Sequence, residues 1–192
     1  MKIVILIEDN FNGVSGSMGQ SLTVKDVLRF TNHDFLNHLH LIKMNLDLGR
    51  IEEAKELINE ISEQCRNFSG IGKIGPPKTV EFLQTLKWRY PEFQITLSSD
   101  IAEALEEQWD ELIVQYLEET IIHVHKRLDV FSEQYMTIDV TCTADTWKVT
   151  VHFTGKFTEI PHFHTETDAC YMETLEQTEV SFKIAMQNRE CK

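Results

Sequence analysis

Two apolar stripes separated only by Gly49-Arg50 constrain this chain more than any other feature. Leu28, Phe35, Leu39, Ile42 and Leu46 recur at steps of 7, 4, 3 and 4, which lines them along one face of a helix from about Thr23 to Leu48. Ile51, Ala54, Ile58, Ile61, Cys65 and Phe68 then step by 3, 4, 3, 4 and 3, closer to a heptad than to the pattern of a free surface helix. Gly49 supplies the stop between them. So short a connection makes the helices antiparallel neighbours, and two helices alone cannot cover both stripes. Closed two-fold pairing of two hairpins covers them, so the segment is expected to form a dimeric four-helix bundle.

The rest of the chain divides around this hairpin, which is assigned to residues 21–69. Residues 1–20 read as a leader or linker. "MKIVILIEDN" has an apolar run too short to span a bilayer and no cleavage-site pattern, and "FNGVSGSMGQS" holds three of the eight glycines. "SGIGKIGPP" concentrates three glycines and two prolines, and a hinge is expected over 70–78. Residues 79–192 then change character. A helix is expected at 79–90 with Phe82, Leu83, Leu86 and Trp88, followed by a short strand at "FQITL" and a longer helix from about Ile101 to Leu128. Alternation of Met136, Ile138, Val140 and Cys142, then of Trp147, Val149, Val151 and Phe153, flanks "TADT" as a strand hairpin. A last strand at about Val180 to Met186 completes an α+β fold: a helical hairpin followed by an α/β sandwich.

With 18 Lys+Arg against 31 Asp+Glu the formal charge is −13, which excludes a broad electrostatic match to nucleic acid or to an anionic membrane. Cys65, Cys142, Cys170 and Cys191 are widely spaced with no C-x-x-C, so reduced thiols and a cytoplasmic location are expected.

The first helix carries "NHDFLNHLH" at residues 32–40, three histidines among apolar neighbours. At about 100° per residue, Asn37 lies roughly 40° and His40 roughly 20° from His33, whereas Phe35 and Ile42 fall on the far side. His33 therefore faces water. Imidazole is one of few side chains able to act as a nucleophile at neutral pH without a strong base, and a phosphorylated ring keeps its phosphoryl group transferable to a carboxylate. Asp34 is placed to orient the ring and Asn37, one turn on, to hydrogen-bond to it. Arg29, Asn37, His40 and Lys43 are the expected partner contacts.

Other chemistries fit less well. His33, His38 and His40 project in directions too different to converge on one metal, and no metal ligand set is assigned. A His-Asp pair also occurs in HD phosphohydrolases, but those need an upstream histidine and none precedes residue 33. Taken singly, each residue reads as part of a solvated helix face. His123, His125, His152, His162 and His164 are given no role.

"RFTNHDFLNHLHLIKMNLDLGRIEEAKELI" resembles the helical hairpin of the sporulation initiation phosphotransferase B family, and "HD-x-x-N-x-L" also occurs in a group of related sensor histidine kinases. The resemblance implies that His33 is phosphorylated, with Asp34 and Asn37 supporting it. It also implies a homodimer that takes a phosphoryl group from a phosphorylated single-domain response regulator and passes it to a DNA-binding one in a sporulation phosphorelay. No cofactor is expected on this chain; Mg²⁺ is expected on the partner receiver. The second domain then corresponds to a degenerate histidine-kinase-like α/β domain. Gly155 is the only glycine after residue 75, and Thr120 and Ile121 stand where a kinase shows Leu-x-x-Asn-Ala, so nucleotide chemistry is not expected. Two competing readings are a non-catalytic dimeric module that binds a receiver or kinase, and a sensor-kinase fragment that would label itself from ATP.

Overall fold

A computed structural model describes residues 22–129, 131–159, 161 and 170–188. The apolar run near the N-terminus, His162 and His164 lie outside these residues.

Helix α1 (Val24–Asp47) begins at a capping box. Thr23 Oγ1 accepts from the Asp26 amide and the Asp26 carboxylate accepts from the Thr23 amide, both at 3.2 Å, so two amides at the helix start are satisfied reciprocally. Its C-terminus closes as the sequence predicts. Gly49 takes φ of 71°, its N–H donates to Leu46 O at 3.0 Å, and the Arg50 N–H donates to Asn45 O at 2.8 Å. This pair of bonds is a Schellman motif, which turns the chain directly into α2 (Ile51–Ile71).

The segment expected as a hinge is occupied by structure. α2 ends within it, a 3-10 turn covers Gly72–Ile74, and α3 (Pro77–Arg89) starts before it ends. Ile71 and Ile74 are buried in the main core, and the Ile74 carbonyl accepts from Leu105 N at 2.8 Å. Gly75 has φ of 104°, and a Cβ there would sit 3.1 Å from Ala104 Cβ, so both conformation and space call for glycine. Gly70 lies so close to β1 that a Cβ would come within 2.9 Å of Ser99 Oγ.

The start of α3 is satisfied by a distant carboxylate. Pro76 and Pro77 have no N–H to offer, and the next two amides, Lys78 and Thr79, donate to Asp110 at 3.0 and 2.7 Å. The Thr79 hydroxyl also donates to Asp110, at 2.8 Å. Asp110 is the first residue of α4 (Asp110–His125), so one buried side chain ties together the starts of two helices.

Five strands form a mixed sheet: β1 (Gln94–Ile101), β2 (Tyr135–Cys142), β3 (Trp147–Thr154), β4 (Cys170–Gln177) and β5 (Ser181–Asn188), in the order β1-β2-β3-β5-β4. β1 and β2 are parallel; the other pairs are antiparallel. Register places Met136 opposite Phe153, Ile138 opposite Val151 and Val140 opposite Val149, and continues to Phe182, Ile184 and Met186 on β5. All are buried, and with Phe82, Leu86, Ile113 and Leu117 from α3 and α4 they make one core.

Two elements differ from the sequence expectation. The helix expected from Ile101 starts only at Asp110, after a 3-10 turn at Glu107–Trp109, because β1 runs on through Ile101, which is paired with Cys142. Ser98, Ser99 and Asp100 have weak strand preferences, so parallel pairing with β2 decides their conformation. β4 was not expected at all. It is an edge strand whose side chains are mostly exposed, and it lacks the apolar alternation that reveals a half-buried strand.

Candidate functional site

No residue of α1 is buried within the chain. Phe35, Leu36, Leu39, Met44 and Leu46 are exposed, as are Ile51, Ile58 and Phe68 on α2, so the hairpin presents an apolar surface that the single chain leaves uncovered. His33 stands on α1 with its side chain 71% exposed.

The structure brings His33, Asp34 and Asn37 together. Asn37 Nδ2 lies 3.3 Å from His33 Nδ1, and Asp34 Oδ1 lies 3.6 Å from the same nitrogen. The amide donates to Nδ1 when the ring carries its proton on Nε2; turned over, its oxygen accepts from Nδ1–H. Both neighbours approach the Nδ1 side.

The other predicted contacts spread along the helix. Arg29, one turn before His33, lies 3.9 Å from Asp26 and 5.0 Å over the Phe30 ring. Lys43 is tied to Asp47 at 2.5 Å, and His40 is exposed.

Sequence reasoning missed the residues that approach the site from the second domain. Lys87 on α3 donates to Asp34 Oδ2 at 2.6 Å, and Trp88 stacks on Phe30 with ring centroids 6.0 Å apart and planes at 24°. Lys87 Nζ also sits 4.7 Å over the Trp88 ring. Phe30 and Asp34 are four residues apart, so one turn of α1 receives two adjacent residues of α3. Partial burial pushes the Asp34 carboxyl upward, but the hydrogen bond and charge of Lys87, with a smaller contribution from His33, hold it below the usual carboxylate value. A signal for this contact was present: Thr79, Phe82, Leu83 and Leu86 define the buried face of α3, and Trp88 is out of phase with them.

An exposed imidazole on a helical hairpin, flanked by a carboxylate and an amide, has the features of a histidine phosphotransfer helix. Residues 15–74 match the family model described as the SpoOB-type sensor kinase, alpha-helical domain. A phosphorelay role is associated with such a domain. No curated protein matches the sequence.

Among solved structures the chain is similar to Acinetobacter baumannii histidine kinase AdeS, at 10% identity and TM-score 0.41, covering 83% of this chain and 98% of that one. It is similar to the Erythrobacter litoralis EL346 blue-light activated histidine kinase at 10% identity and TM-score 0.42, covering 89% of this chain and 62% of that one. A histidine kinase from Burkholderia phymatum STM815 gives 11% identity and TM-score 0.38, with 89% and 100% covered. None of the described helices is long and apolar enough to cross a membrane.

Proposed function

We propose that this chain is a cytoplasmic histidine phosphotransferase of a sporulation phosphorelay. It works as a homodimer through the hairpin, accepts a phosphoryl group on His33 from one response regulator and passes it to a second. The observation that carries this reading is the His33 ring: Asp34 and Asn37 approach its Nδ1 side, while the side chain as a whole is exposed to an incoming partner.

In the first step the Nε2 lone pair attacks the phosphorus of the donor's aspartyl phosphate. The new P–N bond forms as the P–O bond to the aspartyl group breaks, and the carboxylate leaves with the electron pair. With its proton on Nδ1 the phosphorylated ring is cationic, and the Asp34 carboxylate beside Nδ1 offsets that charge. In the second step the acceptor's carboxylate attacks the phosphorus and the P–N electron pair returns to Nε2. Each receiver contributes the carboxylate and its own Mg²⁺, so the hairpin supplies mainly a nucleophile at the correct distance. Arg29, His40 and Lys43 line the same helix as contacts for the receiver.

Transfer without ATP is supported by the second domain. Thr120 and Ile121 are fully buried. Gly155 is explained by packing, since a Cβ there would lie 3.1 Å from Leu128 Cδ2 and 3.3 Å from the Glu133 carbonyl oxygen.

The test is incubation with a phosphorylated receiver domain and Mg²⁺. Acid-labile, base-stable label on the wild type and none on His33→Ala is expected. No label on the wild type, or unchanged label on the variant, would leave a non-catalytic binding module as the better description.

A further inference from the structure

The Asp34 carboxylate is shared between two domains. Oδ2 accepts from Lys87 at 2.6 Å, and Oδ1 lies 3.6 Å from His33 Nδ1. Lys87 is itself fixed from a second direction by the Trp88 ring, and Trp88 is held by its stack on Phe30. The contact is therefore built from α3 outward and meets α1 beside the nucleophile.

We propose that Lys87 is a positioning residue for phosphoryl transfer, acting through Asp34. By occupying Oδ2 it turns Oδ1 of the charged carboxylate toward the ring while His33 carries the phosphoryl group. The proton then stays on Nδ1, the ring remains cationic, and the P–N bond breaks with neutral imidazole as the leaving group. Without the ammonium, Asp34 rotates freely, its carboxylate no longer offsets the charge beside Nδ1, and the Nδ1 proton is lost more readily to solvent. The leaving group then becomes an imidazolate, which departs slowly. The groups facing Asp34 in this exchange are His33 from α1 and Lys87 from α3. This inference rests on His33 being the phosphoryl acceptor.

Phosphoramidate, a small phosphodonor that needs no partner protein, can load the 192-residue chain, and loss of phosphohistidine to water at neutral pH can be followed by phosphorus NMR. Lys87→Met is expected to slow that loss about tenfold. Lys87→Arg keeps the charge and is expected to restore it, and Lys87→Met is expected to have no further effect in an Asp34→Asn background. Equal decay of wild type and Lys87→Met overturns the proposal, as does an equal slowing in both backgrounds or a failure of the arginine variant to recover. A wild type that takes no label at His33, judged against His33→Ala, overturns the phosphotransfer reading itself. Matching thermal transitions of the Lys87→Met and Lys87→Arg proteins separate these outcomes from loss of fold.

Discussion

Lys87 and Asp34 meet at 2.6 Å although 53 residues separate them in the chain. The pair joins the hairpin to the α/β domain one residue away from the candidate nucleophile. Both side chains are part-exposed, so the contact contributes about 0.2–1 kcal/mol to stability, and its consequence is geometric.

This pair gives a pH dependence with a definite sign. Asp34 is held below the ordinary 3.8, so its contribution is fully present above that value and is lost as pH falls through the folded-state titration. The stability difference between wild type and Asp34→Asn, measured by urea unfolding, is expected to be constant above pH 3.8 and to shrink below it. A difference that grows on acidification contradicts the assignment.

His33 is expected to contribute almost nothing to folding. Its side chain is 71% exposed, so His33→Ala changes stability by no more than about 0.5 kcal/mol while abolishing transfer. Parallel thermal melts and labelling assays check this, and a large loss of stability would mean that the ring is covered in the working molecule.

The proposed homodimer accounts for the uncovered stripes. Phe35 is 59% and Leu39 45% exposed in the single chain, so sedimentation is expected to give twice the 22.4 kDa chain mass. Phe35→Glu is expected to give the chain mass alone. Leu39→Ala is expected to weaken the dimer by about 2–5 kcal/mol, a loss that appears as a stronger dependence of melting temperature on protein concentration.

Asp110 carries a larger structural burden than any surface charge. Asp110→Ala leaves the Lys78 and Thr79 amides without their acceptor and the Thr79 hydroxyl with only the backbone carbonyl of residue 110, at 3.4 Å, which is expected to cost about 2–4 kcal/mol in chemical denaturation. Asp110→Asn retains one acceptor oxygen and is expected to fall between the two.

At the alkaline end, burial and then the Glu118 carboxylate push the Tyr90 phenol from 10.0 up to about 12, and burial pushes Tyr116 up as well. Their protonated forms stabilise the fold fully below pH 10.0, and that stability is lost as pH rises toward 12. Phenolate absorbance is expected to show these two tyrosines ionising together with unfolding; independent titration in the folded state would contradict their burial.

The hairpin was legible in the sequence because helical spacing, Thr23 and Gly49 agree, and the local rules that start and stop a helix were not overridden by packing. β2 and β3 were legible for a similar reason, since one buried face imposes strict alternation on both. β4 was not, because an edge strand with exposed side chains has no such alternation to display. The boundary of β1 depended on pairing with a strand more than 30 residues away. At the site, His33, Asp34 and Asn37 could be placed by helix geometry alone. Lys87 could not, since its position depends on how two domains dock, and the out-of-phase Trp88 was the one local sign of it.

The central claim is that His33 carries a phosphoryl group on Nε2. Heteronuclear NMR of the phosphorylated protein with isotope-labelled imidazoles tests it most directly. The account predicts phosphorus coupling to Nε2 of a single histidine whose signals are missing from the His33→Ala spectrum. Coupling to Nδ1, or to the ring of another histidine, would contradict it.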